Sequence, residues 1–431
     1  MTGPKAPRDG SPSASRRDFL KGSTAAAVGL GLIPSVHAAG NDVIKVGLIG
    51  CGGRGSGAAD NICEAAGSTY NIKIHALADA FEDRVKNCRD FLRSNEHTKD
   101  KFDVSDDRCF VGLDAYQKVI DCCDLVMLAT PPGFRPQHIE ATIKAGKQLF
   151  SEKPVAVDGP GIRKVLAAHD EAVKKGLSVV TGTQRRHQAG YIESMKRIHD
   201  GAIGDLVTAR VYWNGGDIWA HKRQAGWNDV EYQIRNWYHF LWLCGDHFVE
   251  QHVHNLDVAL WALKAHPIRA VGMGGRQVHT EPERGQSYDH FAVDFEFPGH
   301  VHILSMARQI DGCENNVSET IVGTKGFWDS NGYRFTGPNK GRVRIAHETN
   351  PYVQEHIDLL ESIVSKRPVC ELKQVAESTL TAIMGRMSAY SGKAVTWEQA
   401  LNSEVDTFPS HLAWGEMKEP PVPIPGGLGI F

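Results

Sequence analysis

The sequence has no CxxC pair, no basic stripe and, past its first forty residues, no apolar run long enough to cross a membrane. Its nine cysteines are an odd number, and no spacing among them suggests zinc or a redox dithiol. Cys122 and Cys123 stand ahead of an apolar stretch and read as buried rather than reactive. The net charge of -3 and charged fraction of 23% are ordinary for a soluble enzyme. They leave no footprint for nucleic acid, so no nucleic-acid partner is expected. No internal repeat is present.

What is present begins with a leader. Ser15-Arg16-Arg17-Asp18-Phe19-Leu20-Lys21 is a twin-arginine export pattern. An apolar run from Thr24 to Val36 and the small-residue end Val36-His37-Ala38-Ala39 follow it. The expectation is a cleaved signal over 1–40, a periplasmic protein, and no stable membrane span after cleavage. The remainder is long enough for two domains. A nucleotide-binding domain is expected over 41–182 and a substrate-binding, oligomerising α+β domain over 183–415. A Pro/Gly-rich arm at 416–431 is then available to a partner subunit.

The chain is organised around Val43 to Gly57. Val43–Ile49 reads as a buried strand that runs into Gly50-x-Gly52-x-x-Gly55, with a helix starting near Gly57. The first glycine permits a tight turn and the second lets backbone approach a pyrophosphate. The third lets helix and strand pack closely, while the helix N-terminus offers free N–H groups to phosphate oxygens. A second strand, Ile72–Ala78, ends at Asp79, which suits a ribose 2′-hydroxyl and repels a 2′-phosphate. NAD is therefore the expected cofactor, with NADP possible because Arg84 lies close by.

Asp121–Ala129 reads as a further buried strand, ending at Thr130-Pro131-Pro132 on the nicotinamide side. His138–Gly146 reads as a helix, and Gln148–Ser151 as a strand ending at Glu152-Lys153-Pro154. A lysine at a strand's carboxyl end can polarise a hydroxyl or move a proton, and Glu152 could position it. These motifs, with Ala145-Gly146-Lys147, stand in the order and spacing of one family. The sequence resembles the glucose–fructose oxidoreductase, inositol dehydrogenase and rhizopine-catabolism (Gfo/Idh/MocA) family over about 43–275, and more loosely beyond. The resemblance implies a Rossmann domain followed by a domain on a largely antiparallel sheet, often an oligomer interface. A homo-oligomer, dimer or tetramer, is expected. It makes Lys153 catalytic and gives Gly50, Gly52, Gly53, Arg54, Gly55, Asp79, Thr130, Pro131, His138, Glu152 and Lys153 to the cofactor.

Asp158–Lys175 reads as a helix and Leu177–Gly182 as the last strand of the first domain. Arg185 and Arg186 then open the substrate region, with one of them expected to meet substrate. From Asp246 onward, Val249, Val253, Leu256, Leu260 and Leu263 recur at helical spacing and make a buried stripe. One residue round, Glu250, His254 and Asp257 share a face with His247, while His252 points elsewhere. Family members carry Asp-x-x-x-His here, so Glu250 and His254 take that place, with Glu where Asp is usual. His254 is the candidate general base, with Glu250 beside it and Asp257 orienting it or touching substrate. His247, Glu250 and His254 also have ligand chemistry, but the two imidazoles stand about 10 Å apart on a straight helix. No metal is therefore expected.

From Leu206 onward the pattern alternates, and Val207–Trp213, Ile268–Val278, Phe291–Phe297 and Val301–Met306 read as an antiparallel sheet with one wet face. Trp213, Trp219, Trp227, Trp237 and Trp242 crowd the region before the site helix. They either stack on sugar C–H surfaces or fill the core. The combined reading is hydride transfer between a tightly bound nicotinamide and a sugar or polyol hydroxyl. A glycoside hydrolase or lyase using transient oxidation, and a non-catalytic sugar-binding relic, are the alternatives.

Overall fold

The computed structural model describes residues 43–427, so the twin-arginine pattern, the apolar run after it and residues 428–431 lie outside the described residues. Six strands form the first sheet: β1 (Ile44–Ile49), β2 (Ile72–Asp79), β3 (Cys109–Val111), β4 (Leu125–Leu128), β5 (Gln148–Ser151) and β6 (Val179–Thr181). All pair in parallel, in the order β3-β2-β1-β4-β5-β6. Helices α1 (Gly53–Ala66), α2 (Glu82–Ser94), α3 (Tyr116–Cys122), α4 (Arg135–Lys144) and α5 (Gly159–Lys175) connect them. Central strands such as Leu125-Val-Met-Leu128 are buried at every position, because helices cover both sheet faces. The order reverses between β1 and β4, and that crevice is where ligands of such sheets bind.

Two local expectations shift. The first helix begins at Gly53, ahead of Gly57, so glycines fill its first turn. Asp121 and Cys122 belong to α3, whose Tyr116, Val119 and Ile120 make a helical stripe, and the strand shortens to β4. Cys123 is buried, Cys122 is half-buried, and their sulfurs stand 3.8 Å apart, unbonded covalently.

Helices α6 (Ala189–His199), α7 (Asp229–Arg235), α8 (Leu241–Cys244), α9 (His247–Glu250) and α10 (Val253–Leu263) lead to and flank a second sheet. Its strands are β7 (Leu206–Gly215), β8 (Arg269–Gly275), β9 (His290–Phe297), β10 (Val301–Gln309), β11 (Asn316–Gly323), β12 (Gly326–Asp329), β13 (Arg334–Phe335), β14 (Gly341–Arg342) and β15 (Val395–Thr396). The order is β14-β13-β12-β11-β7-β10-β9-β8-β15, antiparallel except where β7 and β10 run parallel. Helices α11 (Pro351–Val364) and α12 (Leu372–Ser391) close the chain's core.

Part of the chain beyond residue 182 packs on the first sheet. Leu359 and Leu360 of α11 pack in one cluster with Ile44, Val46 and Leu48 of β1. Val179 N–H donates to the Val369 carbonyl at 2.7 Å, so the late chain extends the first sheet. The described part of the Pro/Gly-rich arm makes contacts within its own chain. Tyr288 donates to the Pro423 carbonyl at 2.7 Å, and Gly426 N–H to the Ser391 carbonyl at 3.0 Å.

Candidate active site

The glycine turn is built by close approach. A Cβ at Gly55 would lie 1.8 Å from the Gly50 carbonyl oxygen, and Gly50 itself holds φ at +97°. At Gly52 and Gly53 an added Cβ would meet nothing within 4 Å. Open space therefore lies before the N-terminus of α1, which has no side-chain cap to occupy its first N–H groups. A pyrophosphate fits that cradle. Asp79 accepts from Cys51 N–H at 2.7 Å through Oδ2 and from Phe81 N–H at 3.0 Å through Oδ1. Burial pushes its pKa up, and those two N–H groups oppose the shift. Lone pairs remain on both oxygens for ribose hydroxyls.

A cleft of about 750 Å³ runs from this cradle to the other candidate residues. Gly50, Gly52, Gly53, Arg54, Gly55, Asp79, Thr130, Pro131, His138, Glu152, Lys153, Glu250 and His254 all line it. His138 packs on Tyr116, with ring centroids 4.2 Å apart, and its Nδ1 lies 3.4 Å from Thr130 Oγ1. Burial, then Arg135, push its pKa down to about 3.

At the far end Lys153 Nζ donates to the Glu250 carbonyl at 2.6 Å and to Glu250 Oε1 at 2.9 Å. Both side chains are buried, and Glu250 Oε2 has no partner. Glu250 rather than Glu152 therefore positions the lysine side chain. Glu152 is taken by Arg54, which also reaches Glu355 at 3.3 Å. His254 is buried against Trp213, with ring centroids 5.9 Å apart. Burial, then Lys153, Arg185 and Arg54, hold its pKa well below the ordinary imidazole value, so the ring is neutral.

The site helix is broken, which corrects the single straight helix read from periodicity. One turn, α9, ends at Glu250, and α10 starts at Val253. Asp246 sets the first turn: it sits at φ 74°, accepts Tyr288 N–H at 2.8 Å and takes the Tyr390 hydroxyl. Burial pushes its pKa up to about 6. His247 is buried against Phe291, away from the cleft lining, and neither ring nitrogen has a hydrogen-bond partner. His252 meets Ser305 Oγ at 2.6 Å. Among the described residues, no group of three or more His, Cys, Asp or Glu could hold a metal ion.

Three substrate candidates are not brought to the cleft. Arg186 forks onto Asp257 at 2.8 and 2.9 Å, and Ser378 also donates to Asp257 at 2.7 Å. Asp257 therefore holds Arg186 rather than His254. Arg185 is bound to Glu319 behind Trp213. A buried guanidinium is stabilised by a carboxylate partner, and the fold supplies one to Arg185 and one to Arg186. Of the five tryptophans ahead of the site helix, Trp213, Trp219 and Trp237 line the cleft, while Trp227 and Trp242 pack with Phe81 and Phe134. Sequence reading missed Arg135, Gln184, Tyr238 and Tyr352, which also line it. No motif marks them, and Tyr352 arrives from α11, beneath Arg54 at 5.0 Å.

Residues 44–181 match the model of the Gfo/Idh/MocA family, described as an oxidoreductase family with an NAD-binding Rossmann fold. The match runs from β1 to β6. Among curated relatives, the chain is 27% identical over 219 residues to 2,7-anhydro-N-acetylneuraminate hydratase of Escherichia coli, covering 50% of this chain and 53% of that one. The chain thus spans about half of that relative's length. It is 22% identical over 283 residues to scyllo-inositol 2-dehydrogenase (NAD(+)) of Bacillus subtilis, covering 66% and 72%. Scyllo-inositol dehydrogenase from Lactobacillus casei, solved with NAD(H) and scyllo-inositol bound, superposes with a TM-score of 0.61 at 18% identity, over 83% of this chain and 99% of that one. At that identity the likeness is one of fold. The family match and the glycine cradle agree on NAD as cofactor.

Proposed function

We propose that this chain is an exported oxidoreductase that moves hydride between a retained nicotinamide cofactor and a sugar or polyol hydroxyl. The observation that carries it is the gathering of Lys153, Glu250 and His254 at one end of a cleft whose other end is the glycine cradle and Asp79. A bound nicotinamide would accept the hydride of a carbinol carbon. Two of the three N–H donors of Lys153 are spent on Glu250, which leaves one for the substrate hydroxyl. That hydrogen bond stabilises the oxygen as its proton leaves. His254, neutral, accepts the proton on a ring nitrogen, and the carbinol becomes a carbonyl.

The twin-arginine pattern supports export to the periplasm, where no free NAD pool is expected. A dissociating cofactor would be lost after one turnover, so retention and recycling within the site accompany export. An oligomer is supported by the outer face of the second sheet, where Val271, Met273 and Leu304 lie exposed. The test is to denature the purified protein and identify the released nucleotide by mass. Stoichiometric NAD or NADP is expected. Lys153→Ala should retain the nucleotide and lose turnover by about 10²-fold or more; a fully active variant would sink the assignment.

The likeness to the hydratase favours a second reading, in which transient oxidation acidifies a neighbouring carbon and hydride returns after elimination. Ketone accumulation without loss of water or of a glycosidic leaving group would exclude it.

A further inference from the structure

At its Asp79 end the cleft is lined by two distant parts of the chain. Asp79 and Phe81 come from the corner between β2 and α2, and Ile218, His221 and Arg235 come from the segment after β7 and from α7. The second part is firmly pinned. Arg284 forks onto Asp217 at 2.8 and 2.5 Å, and His221 N–H donates to Asn236 Oδ1 at 2.8 Å.

Arg235 joins the two parts directly. It gives Nη2 to Asp83 Oδ1 at 2.9 Å and Nη1 to Asp83 Oδ2 at 3.2 Å, and its guanidinium lies 3.9 Å from the centre of the Phe81 ring. Glu231 takes its Nε at 2.9 Å, and Trp227 faces the same guanidinium at 5.2 Å. Phe81 is also the residue whose N–H donates to Asp79 Oδ1. The bond from Arg235 holds the Asp83 pKa below the usual carboxylate value, so the pair is ionised at neutral pH. A half-exposed pair of this kind contributes little to global stability, and its weight falls on local opening of the cleft.

We propose that the fork of Arg235 on Asp83 is a latch across the ribose end of the cleft, which opens before a dinucleotide leaves, so that Arg235 is a retention residue for the cofactor. The inference rests on the reading of a retained nicotinamide and gives that retention a place in the chain. A ribose held by Asp79 would lie next to Phe81, and Arg235 covers that ring. The fork is made between protein groups only, so it opposes entry as much as exit. It therefore changes rates more than affinity.

The test is release of NADH from the full chain, chased with excess NAD and followed by nicotinamide fluorescence. Arg235→Gln, which removes both the fork and the ring contact, should release NADH about tenfold faster. Asp83→Asn, which removes the fork alone at an exposed position, should do so about threefold faster. The double variant should match Arg235→Gln, because both changes act through one contact. The equilibrium Kd for NADH should move by less than about threefold, since binding speeds up with release. Release within about twofold of wild type in both single variants would overturn the latch. So would a double variant whose effect is the product of the two, or an affinity lost in full proportion to the release rate. A working latch in a chain that oxidises no sugar or polyol would stand while the hydride-transfer reading fell. Equal release rates beside full turnover would do the reverse, and a chain that binds no NADH would overturn both.

Discussion

His254 carries the sharpest consequence at the scale of one residue. A base must be unprotonated to work, and burial, with Lys153, Arg185 and Arg54 adding to it, lowers the pKa of this imidazole. The acid limb of kcat/KM should therefore lie well below pH 6.5, the ordinary imidazole value. A pH–rate profile checks this, and a limb at the ordinary value would count against His254 as the base. His254→Asn should lower kcat by about 10²–10⁴-fold while KM and nucleotide content change little. Lys153 and His254 were both legible as candidates because each sits in a recognisable local pattern. The partner of Lys153 was not. Glu152 is adjacent in the chain, but its carboxylate turns to Arg54, and Glu250 arrives from α9.

Among elements, the interrupted α9–α10 segment decides which residues reach the cleft. A straight helix would have placed Glu250, His254 and Asp257 on one face. The break after Glu250 lets the first two stay on the cleft while Asp257 turns to Arg186 and α12. Periodicity does not show that break, nor that α9 is N-capped by Asp246, which is tied to Tyr288 and Tyr390 far along the chain. Asp257 should accordingly matter for folding more than for chemistry. Its side chain is 2% exposed and that of Arg186 15%. Asp257→Asn should destabilise the protein by about 3 kcal/mol, since one partner of a buried pair is left uncompensated. Denaturant unfolding measures it. A variant of unchanged stability but much reduced turnover would return Asp257 to the substrate site.

Across the whole molecule, buried histidines set the response to acid. Burial, the largest cause for each, holds His138, His247 and His252 down to about 3 and His239 to about 4. It also holds His254 and His356 well below their ordinary value. The unfolded chain takes up these protons near pH 6.5 while the folded chain does not. Stability should therefore fall as pH drops from 6.5 through about 4 to about 3. Each proton steepens the fall by ~1.4 kcal/mol per pH unit. His187 runs the other way: Asp358 and Glu371 outweigh its burial and raise its pKa to about 10. Its contribution is full below pH 6.5 and is lost as pH rises through about 10. Urea titrations from pH 4 to 10 would test both limbs, and a stability flat from pH 7 to 4 would contradict the first.

The sequence by itself determined the parallel nucleotide-binding sheet, its glycine turn, Asp79 at the end of β2 and Lys153 after β5. All of these follow from short-range rules: strand periodicity, the steric freedom of glycine, and the position of a residue at a strand's carboxyl end. The tertiary structure alone decided which charges are spent inside the protein and which remain for a ligand. Arg185, Arg186 and Asp257 look available in the chain, yet each finds its partner at long range, because a buried charge is tolerable only when paired. Arg235 and Asp83 likewise meet only in the folded chain, because 152 residues separate them.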